Sequence, residues 1–389
     1  MQERMQECAA VIFIPDDTGR TGLAQPLMMT EVCGSPLLAW TTAALAGGGV
    51  KRLFLVCHEQ YVEGAKAACP VGMPVEAAES QSAAPAMAAF LKAGGEDEQV
   101  LVLTGPALLF PAEQAGGDQP AAPCAYSISG HTLRLGVEEQ ISVLDLLRSC
   151  AAPVAGACAI NSMEELCDFQ KSILRARLFA LAREGVQIWD FDSCYVGPAV
   201  RVASGVVLMP GTILLGDTTV DAGCVVGPNA LLDCAHVGEG TRVNSSQIYS
   251  STLGRDCTVG PFAYIRPGCT VGDRARIGDF VELKNSNLGQ GTKVSHLTYV
   301  GDSDVGSGVN FGCGTVTVNY NGVSKFRTTV GDNAFIGCNT NLVAPVRVGD
   351  GAYTGAGSTI TDDVPDGALA IARPRQLNKK DWVIKHRKK

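Results

Sequence analysis

From about Val196 to Ile360, one aliphatic side chain returns every six positions. Val196, Val202, Leu208, Leu214, Val220, Val226 and Leu232 form the first run, and Val237 and Val243 follow after a step of five. Leu253, Val259, Ile265, Val271, Ile277 and Leu283 form a second run. Leu288, Val294 and Val300 come next, then Val305 and Phe311. After a gap the pattern resumes at Val330, Ile336, Leu342, Val348, Thr354 and Ile360. Gly often follows the anchor, as at Val259-Gly260, Ile277-Gly278 and Ile336-Gly337. A period of six fits neither an amphipathic helix nor an alternating strand. It predicts short strands joined by tight corners, each burying one aliphatic side chain: a hexapeptide parallel β-helix. Three hexads make a coil, so about nine coils stack. The stretch from Val318 to Thr329 lacks the period, which predicts a long loop leaving the solenoid, a usual place for a site.

The first part of the chain has a different pattern. Ala9 to Ile14 reads as a buried strand, broken by Pro15-Asp16-Asp17-Thr18-Gly19-Arg20. Pro36 to Leu45 reads as a helix, Arg52 to Val56 as a strand, Ala83 to Leu91 as a helix and Gln99 to Leu103 as a strand. Strands alternating with helices predict a parallel α/β sheet. Gly116 to Pro123 reads as a loop, and Asn161 to Gly185 as one helix leading into the hexads. The expected domains are 1–160, a linker helix 161–185, the β-helix 186–372 and a tail 373–389. The tail carries Lys379, Lys380, Lys385, His386, Arg387, Lys388 and Lys389.

Composition narrows the possibilities. Hydrophobic content of 46% provides for a sizeable core, and 6% aromatics suits a narrow β-helix lumen. A net charge of -8 argues against nucleic acid or an anionic membrane as partner. The 15 Cys show no CxxC pair or metal-ligand spacing. Scattered thiols suggest a reducing compartment and cysteine used as small apolar filler. The stretch Met1 to Asp16 lacks a signal-peptide pattern, and no apolar run is long enough to span a bilayer. The expectation is a soluble cytoplasmic protein without a resident metal.

Five segments are more specific: Pro261 to Gly268, Asp279 to Lys284, Ser295 to Asp302, Asn310 to Thr315 and Asn319 to Phe326. Together they resemble the acetyltransferase half of the bifunctional N-acetylglucosamine-1-phosphate uridyltransferase / glucosamine-1-phosphate acetyltransferase family. The resemblance is strong from about Gly185 to Gln376 and weaker before it. It implies a nucleotidyltransferase-like, Rossmann-like α/β domain followed by a left-handed β-helix, assembled as a homotrimer. Acetyl transfer from a thioester to an amine needs a proton acceptor and donors for the developing oxyanion. Histidine titrates near neutrality, and by resemblance His296 is that acceptor. A sugar phosphate needs fixed cations and polar donors. The resemblance gives Arg266, Lys284 and Lys325 as cations, with Tyr299 and Asn310 as polar partners. Arg266 and Lys284 directly follow the anchors Ile265 and Leu283, where a small residue is expected, and such rule-breaking marks function. Asn319, Tyr320, Ala356 and Arg373 are placed against acetyl-CoA. Cys313 and Cys338 belong to that same acetyl-CoA contact, standing where the family typically has Ala and Ser.

The front half departs further from the family. Its Gly-rich phosphate loop is replaced by Ile14-Pro15-Asp16-Asp17-Thr18-Gly19-Arg20, and two carboxylates repel phosphate rather than cradle it. The family's Pro-Lys pair reads Pro26-Leu27, and its base-binding stretch reads Ser80, Ser82 and Ala83. Its magnesium-holding Tyr-Gly-Asp reads Thr104-Gly105-Pro106, and proline offers no metal ligand. The expectation is acetyl-CoA-dependent N-acetylation of glucosamine 1-phosphate on the path to UDP-GlcNAc, with the uridyltransferase half inactive and Mg2+ absent from it. Alternatives are a fully bifunctional enzyme, an acetyltransferase for another amino sugar, and a non-catalytic β-helix scaffold.

Overall fold

The computed structural model describes residues 8–95, 98–109, 124–154 and 157–387. The expected loop at Gly116 to Pro123, the start at Met1, and Lys388 and Lys389 lie outside them. The chain divides into two compact units. One comprises residues 1–184, 190–201 and 213–218; the other comprises 185–189, 202–212 and 219–389.

The first unit is built on a six-stranded sheet. Its strand Cys8–Phe13 pairs in parallel with Val50–Cys57 and Gln99–Leu103. Val75–Glu79 extends one side in parallel. On the other side Ala125–Ser129 pairs antiparallel with Gln99–Leu103, and Ala152–Pro153 pairs antiparallel with Ala125–Ser129. The sheet is therefore mixed, not wholly parallel as the strand–helix alternation suggested. The chain reverses after Ala125–Ser129 through two helices, Gly130–Glu138 and Val143–Cys150, that the hydrophobic pattern did not reveal. Leu37–Gly47, Ala83–Lys92 and Met163–Arg183 form where helices were expected. The last has a side-chain cap: Ser162 accepts a hydrogen bond from the Glu165 amide at 3.1 Å, satisfying one otherwise orphaned donor.

The second unit is a stack of parallel coils with the hexapeptide repeat typical of left-handed β-helices. One face is an 11-stranded parallel sheet running from Gln187–Ile188 to Leu369–Ala370. Two further parallel ladders continue through Leu231–Asp233 and Thr219–Val220. Every anchor named above is buried. Two inward residues were not recognised from the period: Ile248, between the steps of five, and Thr317, one hexad after Phe311. Thr317 and Val318 lie in one strand and Thr328–Val330 form another, so the aperiodic loop is 319–327, shorter than the sequence suggested.

The position two before each anchor also points inward and is kept small. Cys224, Cys257, Cys269, Ala263 and Ala275 fill it with apolar atoms. Thr212, Thr241, Thr292, Thr315 and Thr340 fill it with hydroxyls that donate to backbone carbonyls, from 2.6 to 2.8 Å for their shortest bonds. Burial of a hydroxyl is tolerated because each is paired. Burial pushes the Cys224 thiol up to about 11, so it behaves as filler rather than as a nucleophile. The glycine after an anchor lets neighbouring coils approach: a Cβ on Gly278 would lie 1.9 Å from the Ser295 carbonyl oxygen.

Ile248 has no exposed surface, so Ile248→Ala leaves a cavity and costs about 2–5 kcal/mol. Chemical denaturation should show that loss. Replacing the exposed neighbour Gln247 by Ala should change stability by less than about 0.5 kcal/mol.

Candidate active site

The coils repeat every 16 to 18 residues, or 25 where a coil contains the loop, so groups one coil apart in sequence meet on adjacent rungs. Asp279 pairs with His296 in the 11-stranded sheet. Its carboxylate Oδ1 lies 2.6 Å from the imidazole Nδ1. The hydrogen bond to His296 holds the Asp279 carboxyl below its usual range. That contact leaves the other ring nitrogen available, and the His296 side chain is 60% exposed. A carboxylate on Nδ1 fixes the tautomer with Nε2 free to accept a proton. In this geometry His296 Nε2 is placed to take a proton, and Asp279 is a partner that sequence reasoning did not name. Their 17-residue separation was the signal: one coil.

The same rung position continues up the stack. Val294 pairs with Phe311, which sets His296 beside Cys313. Phe311 pairs with Ile336, and the Asn339 amide donates to the Cys313 carbonyl at 2.8 Å. Cys338 therefore follows Cys313. Ile336 pairs with Thr354, and the Gly357 amide donates to the Cys338 carbonyl at 2.8 Å, which brings Ala356 next. A Cβ on Gly357 would lie 3.7 Å from Arg373 Cδ. His296, Cys313, Cys338, Ala356 and Arg373, scattered over 78 positions (373 − 296 + 1), form one corner column.

The cations gather on the next ladder. Arg266 Nη1 lies 3.0 Å from Glu282 Oε1, and Glu282 pairs in register with Tyr299. Lys284 Nζ lies 3.1 Å from Asp302 Oδ2. Asp302 is nearly fully buried and acts as the hub: Asn285 donates to its Oδ1 at 2.7 Å, and Asn319 donates to its Oδ2. Asn319 also reaches the Tyr299 hydroxyl at 3.3 Å. The Tyr299 ring lies against Gly301, where a Cβ would sit 2.2 Å from the phenol oxygen, so a side chain there would displace the Tyr299 ring. Burial pushes the Asp302 carboxyl up, but hydrogen bonds from Asn285, Lys284 and Asn319 outweigh it and leave it below its usual range. Burial likewise pulls Lys284 down, and Asp302 more than offsets it. Lys325 is lowered by the adjacent Lys284 ammonium: two like charges meet beside a carboxylate that pairs with Lys284, a cluster that an added anion would relieve.

The aperiodic loop is pinned at both stems. Asn319 is held by Asp302, and Arg327 forms a fork on Asp304, with Nε–Oδ2 at 2.8 Å and Nη2–Oδ1 at 2.6 Å. Between them Tyr320 and Lys325 form a β-bridge, and Asn321 Oδ1 accepts the Val323 and Ser324 amides at 2.9 and 2.8 Å.

The expected residues thus fall into two neighbouring groups. Arg266, Lys284, Tyr299 and Lys325 come together, joined by Asn319, which stands among the cations rather than in the corner column. Asn310 lies on the 11-stranded sheet opposite Lys293, apart from the other sugar-phosphate candidates. Tyr320 is exposed in the loop, with its hydroxyl donating to the Gly322 carbonyl at 2.6 Å. Glu282, Asp302 and Asn285 were missed; Glu282 and Asp302 are one-coil neighbours of Arg266 and Lys284, and Asn285 is one coil from Asp302.

In the first unit Asp17 is buried. Its carboxylate accepts the Leu27 amide at 2.9 Å and pairs with Arg20 at 3.1 Å. Asp16 accepts from the Thr18 hydroxyl at 2.7 Å. Among the described residues no group of three or more His, Cys, Asp or Glu is arranged to hold a metal ion.

Comparisons with known proteins agree with the repeat and its motifs. The bacterial transferase hexapeptide (six repeats) pattern matches residues 250–285 and 327–362. The chain is similar to the bifunctional protein GlmU. GlmU of Clostridium kluyveri is 48% identical over 234 residues, covering 60% of this chain and 51% of that protein. GlmU of Brevibacillus brevis is 49% identical over 251 residues, covering 62% and 54%. The chain therefore spans about half the length of the curated GlmU relatives it matches. A solved structure of LpxA from Acinetobacter baumannii is 16% identical, covers 48% of this chain and 71% of that one, and has a TM-score of 0.34, too low to bear on function.

Because the Asp302 carboxyl is held below its ordinary value, its contribution is fully present above the unfolded-chain value, about 3.9, and is lost as pH falls through the lower folded value. Amide protection in residues 319–327, measured against unstructured-chain rates at the same pH, should therefore fall at acid pH, with Asp302→Asn showing the reduced protection already at pH 7. Unchanged loop protection in Asp302→Asn would remove the hub role.

Proposed function

We propose that the chain is an acetyl-CoA-dependent N-acetyltransferase acting on glucosamine 1-phosphate. The observation that carries it is the placement of the Asp279–His296 pair one corner away from the Arg266, Lys284 and Lys325 cations. A base beside a cationic anchor is what transfer to the amine of a sugar phosphate requires. The amine loses its proton to His296 Nε2 as it attacks the thioester carbon, the C–S bond breaks as the N–C bond forms, and the departing CoA thiolate takes up the proton that His296 gives back. The cations hold the phosphate and so fix the amine's distance from the base. Cys313, Cys338, Ala356 and Arg373 extend the same corner and supply backbone and side-chain groups along which acetyl-CoA lies. Similarity to GlmU across 60% of the chain supports this reading.

The first unit, in this reading, has lost uridyltransferase chemistry and does not take Mg2+. The support is local: Asp17 supplies from within the chain the anion that Arg20 and the Leu27 amide would otherwise bind, and Leu27 is fully buried. The enzyme is a homotrimer. Phe262, Phe280 and Leu297 hold positive φ and stay more than half exposed. The first two stack at 5.4 Å. A neighbouring copy would cover this apolar stripe, which runs beside His296. Free thiols throughout the described residues suit a reducing cytoplasm. Among the described residues no helix is long and apolar enough to cross a membrane.

His296→Ala should lower kcat for acetyl transfer by about 10²-fold or more with little change in KM. Lys284→Ala should raise KM for glucosamine 1-phosphate and leave the KM for acetyl-CoA alone. Full activity in His296→Ala would remove the assigned base. In parallel, incubation with UTP, N-acetylglucosamine 1-phosphate and Mg2+ should release no pyrophosphate above background. Clear release would restore the bifunctional reading, and equal rates with amino sugars lacking the phosphate would change the acceptor.

A further inference from the structure

Cys313 and Cys338 share a feature that the proposed reaction does not use. They occupy equivalent places on adjacent rungs, as the pairing of Phe311 with Ile336 and the Asn339-to-Cys313 hydrogen bond require. Neighbouring strands in a sheet lie about 4.7–4.9 Å apart. Disulfides join residues whose Cα atoms are about 4.4–6.8 Å apart. Both thiols are free, Cys338 exposed and Cys313 partly buried, whereas Cys224, Cys257 and Cys269 are sealed inside the lumen. A Cβ on the adjacent Gly312 would lie 2.4 Å from the Cys338 backbone nitrogen, so the two coils are in close contact at this corner. His296 stands one rung away, in the same column.

The geometry points to Cys313 and Cys338 as a thiol pair that a low-molecular-weight disulfide oxidises to a cross-rung disulfide, closing the corner beside His296. The step balances. The exposed Cys338 thiolate attacks the small disulfide, forming a mixed disulfide and releasing one small thiolate. Cys313, as thiolate, then attacks the Cys338 sulfur, forming the Cys313–Cys338 bond and releasing the second. The two protein protons end on the two small thiols; the protein is oxidised by two electrons and the small disulfide is reduced. Parallel side chains one rung apart bring their Cβ atoms less close than the relaxed disulfide spacing of about 3.8 Å. The link is therefore of the strained, readily reduced kind. Its effect on acetyl transfer rests on the proposed function; its formation does not.

The full chain would be incubated with oxidised glutathione, digested without reduction and mapped by mass spectrometry, with acetyl transfer assayed on the same samples. A peptide pair joined through Cys313 and Cys338 is expected, lighter by two hydrogens than the reduced pair. Acetyl transfer should fall about tenfold or more, in step with the cross-link, and return with dithiothreitol. Cys150 and Cys167, exposed on helices, should take up only single glutathione groups. Cys313→Ala should stall with glutathione on Cys338, because the resolving thiol is gone. Separate glutathione groups on Cys313 and Cys338 in the unsubstituted protein, or two thiols left reduced, would overturn the pair. A cross-link that leaves acetyl transfer unchanged would overturn the closure. If the reduced protein transfers no acetyl group, the proposed function fails, while the peptide map still decides the thiol pair.

Discussion

The parallel backbone ladder between successive coils is the constraint on which the site depends. Each rung fixes its neighbour's register through hydrogen bonds such as Leu297 to Asp279 at 2.9 Å and Asn339 to Cys313 at 2.8 Å. A parallel in-register stack turns sequence spacing of one coil into contact. A one-residue slip would move every inward side chain to the outside, so the buried anchors and the Thr and Cys two positions earlier hold that register. The column of functional groups is a by-product of this stacking: it needs no structure of its own.

Two electrostatic devices sit on that frame. Asp279 and His296 are exposed, so their value lies in orientation rather than stability. Asp302 is the opposite case, a nearly buried carboxylate whose hydrogen bonds from Lys284, Asn285 and Asn319 offset the cost of burial. Removing one partner of such a set leaves the others unpaired, which is costly. Asp302 therefore couples the cation ladder to the loop stem at Asn319, and Arg327 on Asp304 does the same at the other stem. The loop departs from the repeat but is tied to it at Asp302 and Asp304, two residues apart at the start of the strand Ser303–Val305.

The β-helix and most of its inward residues were legible in the sequence because the physics is local and periodic, one aliphatic per short strand; its hand came only from the family resemblance. Ile248 and Thr317 escaped because a step of five and a polar anchor both hide the period. Helices Gly130–Glu138 and Val143–Cys150 escaped because each is short and the sheet reverses direction there, a choice made by sheet pairing rather than local propensity. His296, Arg266, Lys284 and Lys325 were recognisable from motif resemblance and from charges placed beside anchors. Their partners Asp279, Glu282 and Asp302 were not, since the period that buries anchors does not by itself say which surface charges face each other.

By itself, then, the sequence determined that a hexad solenoid follows an α/β unit, which side chains line its lumen, and which residue types could carry acyl transfer. Only the tertiary structure decided which of them meet: His296 with Asp279 and beside Cys313 and Cys338, Asn319 with the cations, Tyr320 bridged to Lys325 in the loop, and Asn310 apart from them. The reason is that coil register is set by backbone hydrogen bonds between strands 16 to 25 residues apart, as in the pairing of Val237 with Leu253 and of Phe311 with Ile336. That register depends on how every corner and loop in between is accommodated.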